Sequence, residues 1–277
     1  MALLHPDAHH EAKYAKLRNI GKVEGGSKMT INNPIPFECH YLEASLRQEF
    51  SSRFGEYSND QEITLADMAR LNSDLAGEDG DLTLHGYEIS SLKDLAVLTN
   101  LKSLFVNSSR IKDFSLLDGL PNFTGLDLGP SLLLPKGKKD LNKSPGSSPF
   151  VLYRPPTRVE GSEMEIEDLT PLCGLKNLRA LNISSLHKVK DLSPLSGMRK
   201  LKSLRLSGYS LADYSPLYGL KNLEDLFLPF CQLTDPAPLT NLKNLKRLAL
   251  LRSNFSDQQT QDLAKMLPGC SLQFSLE

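Results

Sequence analysis

The constraint that dominates this chain is a leucine phrase repeated at near-constant spacing. The pattern LxxLxL occurs at Leu101–Val106, Phe123–Leu128, Leu178–Ile183, Leu201–Leu206, Leu223–Leu228 and Leu245–Leu250. The central leucines, Leu104, Leu126, Leu181, Leu204, Leu226 and Leu248, lie 22, 55, 23, 22 and 22 residues apart. The outlier is a 22-residue step carrying about 33 extra residues. A fixed period of this length means a stacked architecture rather than an ordinary globule. In LxxLxL the alternate leucines of a short strand point one way. One repeat cannot bury them alone, so copies must stack in parallel, about 4.8 Å apart, each covering the next. Leucine makes up 53 of the 277 residues, 45 of them from Asp81 onward, so the composition is skewed where the repeat is.

A second phrase recurs between the strands, at Ile111–Leu120, Ile166–Leu175, Val189–Met198, Leu211–Leu220 and Leu233–Leu242. A degenerate copy, Ile89–Leu98, follows Leu82-Thr83-Leu84. Its prolines (Pro171, Pro194, Pro216, Pro238) suit a segment making few ladder bonds, and its glycines (Gly119, Gly174, Gly197, Gly219) suit tight turns. The side opposite the strands is therefore predicted to be irregular or 3-10 rather than fully α-helical. The 22-residue period and the D-L-S-P-L-x-G-L phrase resemble the leucine-rich repeat family, in its internalin-like bacterial subclass, over about Asp81 to Glu277. The resemblance implies an α/β solenoid: a curved parallel β-sheet on the concave face, an irregular or 3-10 convex side, and helical caps. Such repeats usually place Asn or Cys five residues after the central leucine. Here the slot holds Ser109, Ser131, Tyr209, Cys231 and Ser253, with Ser185 or Leu186 in the 23-residue copy, so only Cys231 matches.

A stacked core needs covered ends. Ser256 with Gln259 three residues on fits a capping box, opening a helix whose apolar face is Leu263, Met266 and Leu267; Pro268-Gly269 stops it, and Ser271–Phe274 reads as a last strand. At the other end Thr64 and Asp67 cap a helix with Leu65, Met68, Leu71 and Leu75 on one face, and Leu42, Leu46 and Phe50 mark another over Tyr41–Phe54. The chain thus divides into a leader, linker or tag-like segment (1–28), an N-terminal helical cap (29–80), the repeats (81–255) with an insertion at 129–163, and a C-terminal cap (256–277). The insertion holds six prolines and a net charge of +3. It is either a surface excursion that the solenoid tolerates or a basic arm, with Lys136, Lys138, Lys139 and Arg154, that docks an acidic partner.

Function must sit in the positions between the leucines. The residues that alternate outward cluster by character in the C-terminal half: Arg205, Asp225, Phe227, Pro229, Phe230, Arg247 and Leu251, with Phe105 the one large group earlier. Exposed Phe and Leu ringed by charge resemble a protein-binding patch; the alternative is that Phe227 packs under the C-terminal cap and Phe230 under the rim. Chemistry has little support. No GxSxG, Walker-A, HExxH or kinase-like phrase occurs. His5 and His9 have metal-like spacing but fall in the leader. Cys39 and His40 are adjacent, which does not bring side chains face to face.

The formal charge of −1 gives no whole-protein field suited to nucleic acid, no window is apolar enough to span a membrane, and the four scattered cysteines suggest neither a disulfide framework nor zinc. The apolar run at the N-terminus is too short for a secretory signal. The expectation is a monomeric, non-catalytic protein-binding module with no cofactor, metal, nucleic acid or membrane partner. A cytoplasmic immunity or adaptor protein is the first reading, and an effector exported by a non-classical route the second. An enzyme built on the N-terminal segment, and a surface adhesin, are the readings it disfavours.

Overall fold

The computed structural model describes residues 32–55, 57–58, 61–77, 80–85, 88–107, 110–129, 168–183, 189–206, 213–229, 231, 233–250 and 255–274. The leader and nearly all of the insertion lie outside these residues.

Eight parallel strands form one sheet in chain order: β1 (Asp81–His85), β2 (Ser103–Asn107), β3 (Gly125–Asp127), β4 (Ala180–Asn182), β5 (Ser203–Arg205), β6 (Asp225–Phe227), β7 (Arg247–Ala249) and β8 (Ser271–Gln273). The predicted α/β solenoid is therefore what the chain forms. Each central leucine pairs with the next: Leu82 with Leu104, then Leu126, Leu181, Leu204, Leu226, Leu248 and Leu272. All but the last are buried to within 1 %. The 55-residue step changes nothing at the junction it spans. Leu126 opposes Leu181, the Arg179 amide donates to the Thr124 carbonyl at 2.7 Å, and the Leu128 amide donates to the Asn182 carbonyl at 2.7 Å.

On the convex side the second phrase makes 3-10 turns at Lys93–Val97, Thr170–Leu172, Ser193–Leu195 and Ser215–Gly219, and single α-turns at Ser115–Asp118 (α3) and Ala237–Thr240 (α4). The aspartate of the phrase starts each turn. Asp113, Asp168, Asp191, Asp213 and Asp235 each accept the backbone N–H two residues on, at 2.7–2.9 Å. These are Asx turns. In the degenerate first copy Ser91 takes the same place, accepting from the Lys93 amide at 3.3 Å.

Both ends are covered. Helix α1 (His40–Phe54) buries Leu42, Leu46 and Phe50, and α2 (Leu65–Asp74) buries Leu65, Met68 and Leu71 behind the Thr64–Asp67 capping box. Helix α1 also satisfies the open edge of β1. Buried Ser45 accepts the His85 amide at 2.7 Å, and Arg53 donates to the Asp81 carbonyl while pairing with Glu49 and Asp74. Asp94, buried in the first 3-10 turn, accepts the Glu38 amide and ties the cap to the first repeat. At the other end Ser256 and Gln259 close the expected box at the head of α5 (Asp257–Met266), and Leu263 and Leu267 enter the core. Met266, expected on that face, is instead exposed.

Candidate functional site

The outward side chains of the strands form two columns on the open face of the sheet. One runs Asp81, Ser103, Gly125, Ala180, Ser203, Asp225, Arg247, Ser271; the other runs Thr83, Phe105, Asp127, Asn182, Arg205, Phe227, Ala249, Gln273. After Asp81 the first column holds only small residues until Asp225 and Arg247. The second carries large or polar side chains in five consecutive layers, from Phe105 to Phe227.

Asp127 and Asn182 are 55 residues apart in sequence and adjacent in space. The Asn182 amide donates to both carboxylate oxygens at 3.0 Å, and the Gly129 N–H donates to Oδ1 at 2.8 Å. Gly129 leaves room for this pair: a Cβ there would lie 2.8 Å from Asn182 Nδ2, so the amide would have to shift. Burial pushes the Asp127 carboxyl up to about 6, against the lowering effect of these two donors and of the Arg205 charge.

Arg205 is next in the column, and its guanidinium lies over the Phe227 ring at 6.0 Å from the centroid. In the neighbouring column Arg247 donates from Nε to Asp225 Oδ1. That hydrogen bond raises the Arg247 pKa further above its ordinary value, against some burial. Asp225 is 7 % exposed, so the pair is fixed at one end, while the Arg247 side chain is 41 % exposed.

The sequence brings these residues together as expected but misjudges their exposure. Phe227 is only 8 % exposed, Arg205 7 %, and Pro229 is buried. The exposed apolar patch expected at Phe227 is not there. With layers about 4.8 Å apart, a flat ring between Arg205 and Ala249 is walled in by its own sheet and covered by the guanidinium. What this half of the face leaves accessible is the Arg247 guanidinium; Arg205 is as buried as the Phe227 ring it lies over. Phe105 stays half-buried in the other half. Phe230, Leu251 and the insertion residues Lys136, Lys138, Lys139 and Arg154 lie outside the described residues.

Cys231, the one match to the family's ladder position, is buried and its thiol lies 3.6 Å from the Leu206 carbonyl of the preceding repeat. Cys39 and His40 do not face each other. Cys39 is buried at the head of α1 with the Ser90 hydroxyl donating to its sulfur, whereas His40 is 86 % exposed beside Glu43. Burial would raise the Cys39 pKa, but backbone N–H groups, that of Ser90 foremost, outweigh it and the thiol is shifted down. Among the described residues no group of three or more His, Cys, Asp or Glu is placed to hold a metal, and no helix is long and apolar enough to cross a membrane. A shallow crevice between the third and fourth layers, lined by Leu117, Leu120, Phe123, Leu175 and Leu178 with Asp118 and Asn177, has no room even for a water-sized molecule. Ligand sites run to several hundred Å3.

No family model matches the chain, and no curated protein matches it in sequence. Among solved structures it is similar to internalin C2 from Listeria monocytogenes, with 21 % identity over 89 % of this chain and 88 % of that one and a TM-score of 0.58. It also matches internalin F from the same organism (20 % identity, 83 % and 68 % covered, TM-score 0.48). A leucine-rich-repeat protein from Leptospira interrogans matches at 20 % identity, with 67 % and 52 % covered and a TM-score of 0.40. The first of these likenesses carries the leucine-rich-repeat fold.

Proposed function

Proceeding from a leucine-rich-repeat solenoid, we propose that this protein is a non-catalytic binding module. It takes a protein partner on the concave face, through the layers from β5 to β7. The observation that carries the reading is the arrangement of Arg205, Asp225, Phe227 and Arg247. The exposed Arg247 guanidinium is held by a buried carboxylate, beside a second, buried guanidinium over a buried ring, in layers whose other outward residues are Ser203 and Ala249. Arginine fixed in this way is the kind of group that dominates protein interfaces, and holding it in advance lowers the ordering cost of binding. Pro229, Phe230, Leu251 and the basic insertion residues Lys136, Lys138, Lys139 and Arg154 are further candidates within this reading.

The partner is met by a monomer in a bacterial cytoplasm, as an immunity or adaptor protein binds its client. All four cysteines are free, which favours a reducing compartment. An effector delivered to a host cell by a non-classical route is the second reading.

A photo-crosslinking residue placed at Arg247, and in a second protein at Lys190 on the convex side, tests the surface in the native source. The partner should be captured from position 247 and not from 190. With that partner purified, Arg247→Ala should weaken binding by about 10- to 100-fold, as loss of a central interface arginine does. Unchanged affinity would remove the concave face from the function.

A further inference from the structure

The segments that lead into β4, β5, β6 and β7 are Lys176-Asn177-Leu178-Arg179, Arg199-Lys200-Leu201-Lys202, Lys221-Asn222-Leu223-Glu224 and Lys243-Asn244-Leu245-Lys246. They hold eight cations and one carboxylate, +7 in a chain whose formal charge is −1. Because the sheet is parallel, all four segments lie on the edge where the strands start. Backbone bonds step along it: the Lys202 amide to Arg179, Glu224 to Lys202 and Lys246 to Glu224, at 2.7–2.8 Å. The leucines point into the core, and the Asn222 and Asn244 amides are used on the Arg199 and Lys221 carbonyls, at 2.6 and 2.8 Å. What remains on the surface is the charge, and all eight cations are exposed.

The two rows of this edge differ. In the inner row Glu224 bridges Lys202 at 2.5 Å and Lys246 at 2.6 Å. These two hydrogen bonds pull its pKa down to about 2. In the outer row Lys176, Arg199, Lys221 and Lys243 supply one cation per layer, and none has a carboxylate partner among the described residues. Elsewhere Arg47, Arg53, Lys93, Arg110 and Lys265 are each paired with a carboxylate.

We propose that this strand-start edge docks an acidic α-helix of a protein partner. The proposal rests on the reading of the molecule as a protein-binding module but uses a surface separate from the concave face. Spacing selects the helix. Layers step by about 4.8 Å, and carboxylates at i and i+3 or i+4 on a helix stand about 5–6 Å apart. Four layers span about 14 Å and a helix from i to i+11 about 16 Å. A strand's same-face side chains fall about 6.6 Å apart and outrun the row. No aromatic ring stands in these four segments to stack a base.

The test uses the full chain and a fluorescein-labelled, alanine-rich helical peptide of 18 residues with Glu at i, i+4, i+7 and i+11. Controls are the peptide with Gln in place of Glu, one of equal charge with the glutamates spread around the helix, and a 20-base-pair DNA duplex. The one-face peptide should bind about tenfold more tightly than either peptide control, as several exposed ion pairs acting together allow, and should weaken between 50 and 200 mM salt. Lys176→Glu, Arg199→Glu, Lys221→Glu and Lys243→Glu combined should remove that binding. The milder Gln set should reduce it, and Arg205→Ala with Arg247→Ala should leave it intact. Equal binding of the two acidic peptides, indifference to the four substitutions, or tighter binding of the duplex through the same four residues would each overturn the proposal. The concave-face reading is decided separately, by the captured partner.

Discussion

Asp127 is the residue whose chemistry departs most from its type. Its carboxyl is held near 6 by burial, against about 3.9 in an unfolded chain. Between those values the native state binds a proton that the unfolded state has released. The contribution of Asp127 to stability therefore rises as pH falls from 7 toward 4, the reverse of a salt-bridged aspartate. Asp127→Asn keeps an acceptor for Asn182 and Gly129 and removes the ionisation. Urea unfolding should show the variant more stable than the parent by about 1–2 kcal/mol at pH 8, a figure discounted for partial solvent contact, with the difference vanishing near pH 4. A carbon-detected titration should place the Asp127 midpoint about 6, and Arg205→Leu should move it higher by removing a favourable charge. A difference independent of pH would refute this account. Little of it was legible in the sequence. Alignment on the leucines puts Asp127 and Asn182 in one column, but the Gly129 amide that also bonds Asp127 is not singled out by the pattern. The exposure of Phe227 was misjudged for a related reason: alternation says which way a side chain points, not how far the neighbouring layers cover it.

At the scale of elements the pattern is better read, because repeats average over accidents. Strand register, the two capping boxes, the C-terminal strand and the 3-10 side all follow from spacing and turn chemistry. What the phrase D-L-S-P-L left unassigned is its aspartate. Five copies accept the amide two residues on, and Asp168, Asp191 and Asp213 also accept the hydroxyl of the following Thr or Ser. The aspartate does for a 3-10 turn what an N-cap does for a helix. For Asp168 and Asp191 the hydroxyl bond, then the amide bond, draws the pKa below its ordinary value. Their contribution to stability is present above the usual carboxylate range and lost as pH falls through the depressed values. Asp191→Ala should lower the thermal midpoint by about 2–4 °C at pH 7, and Asp191→Asn, which keeps the acceptor, by less. Equal loss in both would mean that the turn needs the charge rather than the hydrogen bond.

The molecule as a whole is quasi-one-dimensional, and this decides what sequence totals can reveal. A net charge of −1 argued against a strong field, yet the edge before β4–β7 carries +7. The signal was in the tetrapeptides read in register, not in the sum. One-dimensionality also makes stability local. Each layer touches its neighbours, so the cost of a core truncation depends on whether a layer is covered on both sides. Leu181 sits at the junction spanned by the 55-residue step and Leu204 in an uninterrupted stretch, and both are fully buried. Leu272 lies in the last strand and is only partly buried. If the interruption were a boundary between two units, Leu181→Ala would resemble a truncation at an end. The junction instead keeps the register and backbone bonds of the others, and a longer connection adds closure entropy only logarithmically. Leu181→Ala and Leu204→Ala should therefore cost alike, about 2–5 kcal/mol, and Leu272→Ala distinctly less. Urea unfolding followed by circular dichroism measures all three. A small effect at Leu181, or two separate transitions in the parent protein, would place a boundary after β3 and split the solenoid there.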